Sequence, residues 1–562
     1  MTDKNKNNII YKIFLEEWRP YLWLVVIGYL LYSQIFSFGL TYLDDNYAVL
    51  VKARFNSDAV NIFQVFRQNM FFAPHQYVGY YRPIAAVVDI FDSLIGSTAP
   101  FIFHFTNILL HILNSCLLFL ILIKLGYKKS PVFFASLVFT VHPALAQNVA
   151  WIPGRADSML AAFILPAFIF FLLFLETKKR RYYFLHMLFF LLALFTKEIA
   201  PVAALCCLTY LYLVKKEPLL SFNAKILTTG WAFLFAIWFF IREAASVNPM
   251  PLMHTNMLRN MFLNLPVIII YLGKLVLPVN LSVLAFMRDT SLTYGYIASV
   301  VIIALLLFSR NKRNDLVVFG FVWFILFLLP AFVLSTPGSN NFVYEHRTYL
   351  PAVGFIIMML ETDMLKNLDM EKPRVFLICA AVIAVLSFMS FIHSRDFSGG
   401  KVFWENAVRT SPHSSLAHRN LGVIYYMNGQ IDEAEKEYRK AFDLNPYEPA
   451  IHTSLGLIYF KRGKYRAAEE EFKKEISLNP FSSDVHHDLG RVYAAQQRYK
   501  EATAEWKMAL KINPENVYAD RDLAIYYYIK KEYGLARQYF IEFQKYGGEV
   551  DPEILKDLNI KQ

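Results

Sequence analysis

Two adjacent acidic residues, Asp44 and Asp45, directly follow the first long apolar run of the chain. Carboxylates held this close push their pKa values apart, so one can act as a base while its neighbour tunes it. Acidic residues also cap helix ends, and the Asp-Asp pair alone fits that structural role equally well. The functional interpretation therefore depends on the ionisable residues that accompany the pair.

More ionisable residues stand near the ends of later apolar runs, and the topology argued below puts them on the same, extracytoplasmic side as the acidic pair. They are Arg82, His142, Arg155, Asp157, Lys197, Glu198, Glu345, His346 and Arg347. Each one alone is more simply a solvated loop charge, but ionisable residues at membrane depth are candidates for function. Acids beside several cations suggest general-base chemistry next to an anionic leaving group such as a lipid phosphate or pyrophosphate.

No set of metal ligands is predicted from the sequence. The four cysteines all lie in apolar runs and lack metal-binding spacing. Asp44 and Asp45 could together hold a divalent cation such as Mg²⁺ or Mn²⁺, and that alternative stays open. His104, Asn107 and His111 share one helix face, where interhelical hydrogen bonding is the expected role.

The composition predicts a membrane protein with a soluble domain behind it. The 562 residues are 56% hydrophobic, and the mean hydropathy is +0.35. Apolar runs of spanning length recur between residues 21 and 393, and none follows. From Gly399 onward acidic and basic residues are equal in number, so the formal net charge of +11 belongs to the membrane part. That charge is typical of short basic cytoplasmic loops and argues against nucleic acid binding.

Basic residues fix the expected topology, because cytoplasmic loops are enriched in Lys and Arg. The rule puts the N-terminus in the cytoplasm and predicts eleven spans in an all-α membrane domain over residues 1–398. The segment 41–100 is the first extracytoplasmic loop. Residues 261–279, interrupted by two prolines, are predicted to be re-entrant or broken rather than spanning. The C-terminal domain then lies outside.

The region after residue 399 repeats with a period of 34 residues. The recurring positions are Pro412, Pro446, Pro480 and Pro514; Gly422, Gly456, Gly490 and Ala524; and Tyr438, Phe472, Trp506 and Phe540. This is the tetratricopeptide (TPR) pattern of paired helices, in which small residues stand where the helices cross. Trp404 and Ala407 predict a leading half-repeat, so the array covers 399–546 and a tail covers 547–562. Such α-solenoids bind extended peptides or protein surfaces.

Several stretches, in this order along the chain, resemble the transmembrane and TPR repeat-containing proteins, whose animal members are protein O-mannosyltransferases of the multi-spanning GT-C class. The stretches are Asp44-Asp45, Tyr81-Arg82-Pro83, Phe103-His104, Asn107 to His111, His142-Pro143, Gly154 to Asp157, Thr196-Lys197-Glu198, Tyr271 to Pro278 and Arg347 to Phe355. The TPR array follows them. His346 departs from the acid–arginine pair expected in the last loop.

The resemblance implies inverting transfer of a mannose-like sugar from a polyprenyl-phosphate donor to a protein hydroxyl on the extracytoplasmic face. It gives the role of base to one of Asp44 and Asp45, and of the two we expect Asp45, with Asp44 assisting. Arg82, Arg155, Lys197 and Arg347 are expected to bind the donor phosphate, and Asp157 to orient the site. The remaining members of the set, His142, Glu198, Glu345 and His346, are expected to support it.

The resemblance also suggests partners and a location. The expected partners are the polyprenyl-phosphate-linked sugar, membrane lipids and an acceptor protein held in the TPR groove, with no nucleic acid. No cofactor beyond the possible divalent cation is implied. A short array without disulfides fits bacterial relatives, so we expect a bacterial inner membrane with a periplasmic array; a eukaryotic chain would put the array in the endoplasmic reticulum lumen.

Three alternatives compete with this prediction: a scaffold, a transferase with another acceptor, and a transporter. A non-enzymatic TPR scaffold for envelope assembly would leave the outer charges dispensable and need the groove. A transferase of the same fold could use a glycan or lipid acceptor. A transporter is disfavoured because the ionisable residues cluster at the outer ends of the spans rather than at the midplane.

Overall fold

The structure is a computed structural model that describes residues 8–70, 80–245, 262–333 and 342–560. It consists of two compact units, Met1–His413 and Ser414–Gln562. The all-α prediction with a terminal repeat array is confirmed. The predicted leading half-repeat is a helix over Gly400–Thr410, and it belongs to the first unit.

The first unit is built from helices that are mostly apolar. The longer ones are Arg19–Tyr32, Pro83–Gly96, Pro100–Lys124, Lys129–Val141, Arg155–Thr177, Arg180–Leu194, Val202–Leu213, Phe222–Ala245, Pro266–Val276, Thr293–Phe308, Asn314–Val333, Tyr349–Met359, Pro373–Arg395 and Gly400–Thr410. The helix Arg155–Thr177 is buried along most of its length and packs between Pro100–Lys124 and Arg180–Leu194.

Five helices in the described ranges are long and apolar enough to cross a membrane, and six if one bent pair counts as a single span. They are Arg19–Ser37, Pro100–Lys124, Ile152–Thr177, Phe222–Ala245 and Pro373–Arg395, with Lys129–Val141 plus Pro143–Ala150 as the bent pair. Pro266–Val276 has 11 residues and therefore measures about 16 Å, half of the roughly 30 Å hydrocarbon core. The eleven-span topology stays a prediction, and residue 261 lies outside the described residues.

The segment predicted as the first outer loop consists of short helices followed by one longer one. The short elements are Tyr47–Val51, Ala53–Asn56, Asn61–Gln64 and Val65–Arg67. Residues 71–79 lie outside the described residues. Further along the chain, Ala285–Phe286 pairs antiparallel with Phe342–Val343, and this small sheet leads directly into the segment Tyr344–Arg347.

Two glycines let helices of the first unit approach closely. A Cβ added at Gly354 would lie 2.4 Å from the carbonyl oxygen of Gly320, and one at Gly320 would lie 2.6 Å from that of Gly354. Small residues of this kind allow tight helix packing where no hydrophobic force drives association. The contact joins Asn314–Val333 to Tyr349–Met359, which follows the Tyr344–Arg347 segment.

The second unit contains the four predicted helix pairs. They are Ser415–Met427 with Ile431–Leu444, Ile451–Lys461 with Tyr465–Leu478, Ser483–Ala495 with Tyr499–Ile512, and Val517–Ile529 with Tyr533–Lys545. A short helix, Pro552–Asp557, follows and buries Leu555. In each of the first three pairs the glycine at the recurring position contacts an aromatic ring from the second helix, such as Phe472 against Gly456.

We expect Gly456→Ala to destabilise the array by about 1–3 kcal/mol, because overpacking forces neighbours to move. The added Cβ would lie 2.8 Å from the Phe472 ring. The matched control is Gly534→Ala, which meets nothing within 4 Å. Proteolysis of the intact purified chain in increasing urea measures both. Equal urea midpoints for the two variants would contradict this packing.

Candidate functional site

The acidic pair lies on a tight turn over Thr41–Asn46, which we call the acidic loop. Tyr42 and Asp44 adopt φ angles of 60° and 67°, in the left-handed region. Asp45 is 1% exposed. It accepts hydrogen bonds from the Thr41 backbone N–H at 2.6 Å, the Thr41 hydroxyl at 2.8 Å and the Asn46 N–H at 2.9 Å. Asp45 therefore holds the loop closed.

The two acids of this loop differ in access. Burial raises the pKa of Asp45 to about 6, although its hydrogen bonds oppose the rise. Asp44 is exposed, and its side chain makes no hydrogen bond within the described ranges. Partial desolvation by the surrounding protein raises the pKa of Asp44, and the positive charge of Arg82 acts in the opposite direction. Asp44 is thus the carboxylate that another molecule can reach.

Two indoles fix the acidic loop from outside. Trp151 donates from Nε1 to the Leu43 carbonyl at 3.1 Å, and Trp404 donates to the Thr41 carbonyl at 3.0 Å. Trp404 is completely buried and Trp151 nearly so. Since both bonds end on backbone carbonyls, the position of the loop depends on two helical regions far apart in sequence.

Arg82 and Glu198 form an ion pair near Asp44. The Arg82 guanidinium donates to Glu198 from Nε at 3.0 Å and from Nη2 at 2.8 Å, and it lies over the Tyr80 ring at 4.5 Å. Arg82 precedes the proline that begins the helix Pro83–Gly96, while Glu198 stands in the turn after Arg180–Leu194. The pair therefore joins the outer loop to the helical bundle.

Asp157 is the centre of a second group of charges. Lys197 donates to it from Nζ at 2.7 Å, and the His346 Nε2 lies 3.9 Å from the same carboxylate oxygen. Burial lowers the pKa of His346 to about 3: Asp157 opposes this shift, and the nearby cations Lys197, Arg347 and Arg82 strengthen it. His346 is consequently a neutral imidazole at this position.

Arg347 differs from the other cations of the site. Its guanidinium lies 5.1 Å from the centre of the Tyr344 ring, and it makes no ion pair within the described residues. Its charge adds to the burial that lowers the pKa values of Lys197 and His346, so it lies within electrostatic range of both groups. A half-buried cation without an acidic partner is suited to bind an anion.

The structure thus brings together seven of the predicted site residues. They are Asp44, Arg82, Asp157, Lys197, Glu198, His346 and Arg347. We call this group the charged cluster. Its chemistry combines one exposed carboxylate with several cations.

Arg155 lies apart from this cluster. It is 3% exposed and donates from Nη1 to Asp89 at 3.2 Å and to Asp92 at 2.5 Å, and from Nη2 to the Phe103 carbonyl at 2.7 Å. Burial raises the pKa of Asp89 to about 6, although the charge of Arg155 opposes the rise. The guanidinium is committed to neutralising two buried acids.

His142 and Glu345 also make structural contacts. His142 donates from Nε2 to the Leu275 carbonyl at 3.1 Å and accepts from the Ala144 N–H at 3.2 Å. Glu345 is fully buried and accepts from Lys274, from the Ser282 N–H at 2.8 Å and from the His393 Nε2 at 2.9 Å. Burial would raise the pKa of Glu345, but the positive charges of Lys274 and His393 lower it to about 2. Glu345 fixes the backbone from which His346 and Arg347 project.

In the part of the chain that the structure describes, no group of three or more His, Cys, Asp or Glu side chains is arranged to hold a metal ion. The carboxylate oxygens of Asp45 accept bonds from its own loop, which limits what it could offer a cation. A divalent cation at the acidic pair remains an untested prediction.

Sequence reasoning did not assign Asp89, Asp92, Lys274, His393 or Trp404 to the site. These residues neutralise or anchor residues that it did assign. The sequence could have predicted that such partners exist, because each buried Arg or Glu in an apolar bundle requires an oppositely charged partner. Which residue supplies the partner depends on the tertiary fold.

Comparison with known proteins adds the repeat family and several relatives. Family models described as TPR repeat and tetratricopeptide repeat match residues 424–463, 449–482 and 483–516. The second unit is a TPR array. A solved structure of Pseudomonas aeruginosa pilF is 22% identical to this chain. The match covers 34% of this chain and 87% of that chain, with a TM-score of 0.27.

The relatives are named as transferases. A protein O-mannosyl-transferase of Caenorhabditis elegans is 24% identical over 390 residues, covering 65% of this chain and 54% of that protein. One of Drosophila melanogaster is 30% identical over 129 residues, covering 23% of this chain and 15% of that protein. The chain therefore spans about half the length of the first relative and less of the second.

We expect Arg155→Met to destabilise the first unit by about 3–5 kcal/mol, because it leaves two buried carboxylates without their cation. The control Arg439→Met removes an exposed i,i+4 partner of Glu435 and should cost less than about 1 kcal/mol. Thermal unfolding in detergent compares the two. Equal stability of both variants would show that Arg155 is free for another role.

Proposed function

We propose that this chain is a membrane glycosyltransferase that moves a mannose-like sugar from a polyprenyl-phosphate donor to a protein hydroxyl. The observation that carries the proposal is the exposed Asp44 carboxylate beside the cations of the charged cluster. The names of the relatives support sugar transfer to protein.

Asp44 is the base in this proposal, and Asp45 is the residue that shapes its loop. The sequence had favoured the opposite order. Asp45 accepts three bonds from Thr41 and Asn46, so its oxygens are engaged. Asp44 is exposed and has a raised pKa, and a carboxylate of this kind accepts a proton more readily than an ordinary one.

The reaction is a single displacement at the anomeric carbon. The acceptor hydroxyl oxygen forms a bond to that carbon while the bond from the carbon to the phosphate oxygen breaks. The hydroxyl proton goes to Asp44, and the electron pair of the broken bond leaves with the phosphate. Because the acceptor oxygen attacks on the face opposite the departing phosphate, a single displacement inverts the configuration at the sugar.

The cations take the departing phosphate. Arg347 has no carboxylate partner in the described ranges and is the first candidate for a phosphate oxygen. Lys197 and Arg82 add positive charge while bound to Asp157 and Glu198. Fixed cations placed where charge develops lower the barrier without reorganising during the reaction. Arg155 is left out of this set because its Nη1 and Nη2 groups already bind Asp89, Asp92 and the Phe103 carbonyl.

The TPR array supplies acceptor binding in this proposal, since such solenoids present extended concave surfaces. Holding the acceptor on the same chain raises its effective concentration at the charged cluster. We propose an extracytoplasmic site in a bacterial inner membrane, following the positive-inside distribution of Lys and Arg.

Asp44→Asn should lower the rate of transfer by about 10²–10⁴-fold, the usual contribution of a general base. The assay offers radiolabelled polyprenyl-phosphate mannose and a membrane extract to the purified chain. Asp45→Asn is the matched comparison, and it should lower stability as well as rate. Full activity of Asp44→Asn would refute the assignment of Asp44 as the base. Label found in lipid or glycan would show that the acceptor is not a protein.

The pH dependence of transfer should respond to Arg82. Its charge lowers the pKa of Asp44, so Arg82→Gln raises that pKa, and the acid limb of the kcat/KM profile moves to higher pH. Arg313→Gln is the control, because it breaks another arginine–glutamate pair whose acid is Glu361. An acid limb that stays in place in Arg82→Gln would exclude Asp44 as the titrating base.

A further inference from the structure

The helix Gly400–Thr410, which we call the linker helix, precedes the TPR array in sequence but packs into the first unit. Phe403, Trp404 and Ala407 on its inner face are completely buried. Phe403 contacts the ring of Phe397, which in turn contacts His393. A helix that merely connected two units would not need to bury this face.

The linker helix reaches the acidic loop through one hydrogen bond. Trp404 donates to the Thr41 carbonyl at 3.0 Å, and Thr41 donates through both its N–H and its hydroxyl to the Asp45 carboxylate. Thr41 is 1% exposed, so water cannot replace either partner. The Trp404 indole therefore fixes the residue that closes the loop on which Asp44 stands.

Ser411, which directly follows the linker helix, contacts a strand whose partner leads toward Arg347. Ser411 accepts from the Phe286 N–H at 3.0 Å and donates to the Leu284 carbonyl at 2.8 Å. Phe286 pairs with Phe342, whose strand continues into the segment Tyr344–Arg347. The linker helix and Ser411 thus contact two backbone segments that lead to the charged cluster: Trp404 contacts the acidic loop, and Ser411 contacts the strand paired with the one before Tyr344–Arg347.

We propose that the linker helix, together with Ser411 directly after it, is a positioning element of the transfer site: Trp404 sets the place of Asp44, and Ser411 sets the place of Arg347. This inference rests on the proposed function. Neither residue touches the reacting atoms. Each acts through a backbone that carries a group of the charged cluster, and a displacement of about 1 Å in such a group can cost about 10²-fold in rate.

Substitutions at Trp404 and Ser411 should affect different kinetic constants. Trp404→Phe keeps most of the buried ring and removes only the N–H donor, so kcat falls about 10- to 100-fold while the KM for the donor stays unchanged. Ser411→Ala loosens the strand that leads to Arg347, so the KM for the donor rises and kcat changes less. A general loss of folding would lower active enzyme equally in both variants and would leave the KM values alone.

The test uses the full chain in detergent, with polyprenyl-phosphate mannose as donor and thermal unfolding measured in parallel. Trp323→Phe is the matched control, because the Trp323 indole is buried in the same unit and donates to the Leu350 carbonyl at 2.9 Å. It should retain wild-type kcat and KM. The split between Trp404→Phe and Ser411→Ala, with Trp323→Phe unaffected, is the expected result.

Two outcomes separate the inference from the proposed function. If the wild type transfers sugar and Trp404→Phe behaves like Trp323→Phe, the positioning role is overturned while the function stands. If the folded wild type transfers nothing, the proposed function is overturned, and the positioning role falls with it. Should Trp404→Phe fail to fold, an unchanged donor KM in Ser411→Ala overturns the inference.

Discussion

A charge buried in an apolar helical bundle needs a partner, and this requirement organises the first unit. Removing one partner of a buried pair is strongly destabilising because the remaining charge stays desolvated. Arg155 is neutralised by Asp89 and Asp92, and Glu345 by Lys274 and His393. Each set joins elements that are far apart in sequence. The ion pairs therefore act as cross-links between helices whose apolar surfaces alone would specify their packing poorly.

Two members of the charged cluster lack an ion-pair partner of this kind among the residues that the structure describes. Within the described ranges, Asp44 has no hydrogen-bonded partner for its carboxylate, and Arg347 has only the face of Tyr344. The proposed function uses these two groups, because a base must be accessible and a phosphate ligand must have free donors. The charges around them are paired, Asp157 with Lys197 and Arg82 with Glu198.

The sequence predicted the array and the membership of the charged cluster better than the roles within it. A 34-residue period determines helix pairs without reference to tertiary contacts, because each repeat packs only against its neighbours. The distinction between Asp44 and Asp45 could not be predicted, since it depends on which of two adjacent carboxylates the Thr41 turn engages. Arg155 looked equivalent to Arg347 in sequence, and only the placement of Asp89 and Asp92 separates them. Trp404 followed the repeat spacing, yet its helix packs in the first unit.

We propose that Asp44 takes the proton of the acceptor hydroxyl while the acceptor oxygen directly displaces phosphate from the sugar. The most direct measurement is the anomeric configuration of the transferred sugar, determined by NMR on the product of the purified wild-type chain and compared with that of the donor. Direct displacement predicts that the sugar in the product has the configuration opposite to that in the donor. A retained configuration would require a covalent sugar–enzyme intermediate and a nucleophile close to the sugar, and it would contradict the role given to Asp44.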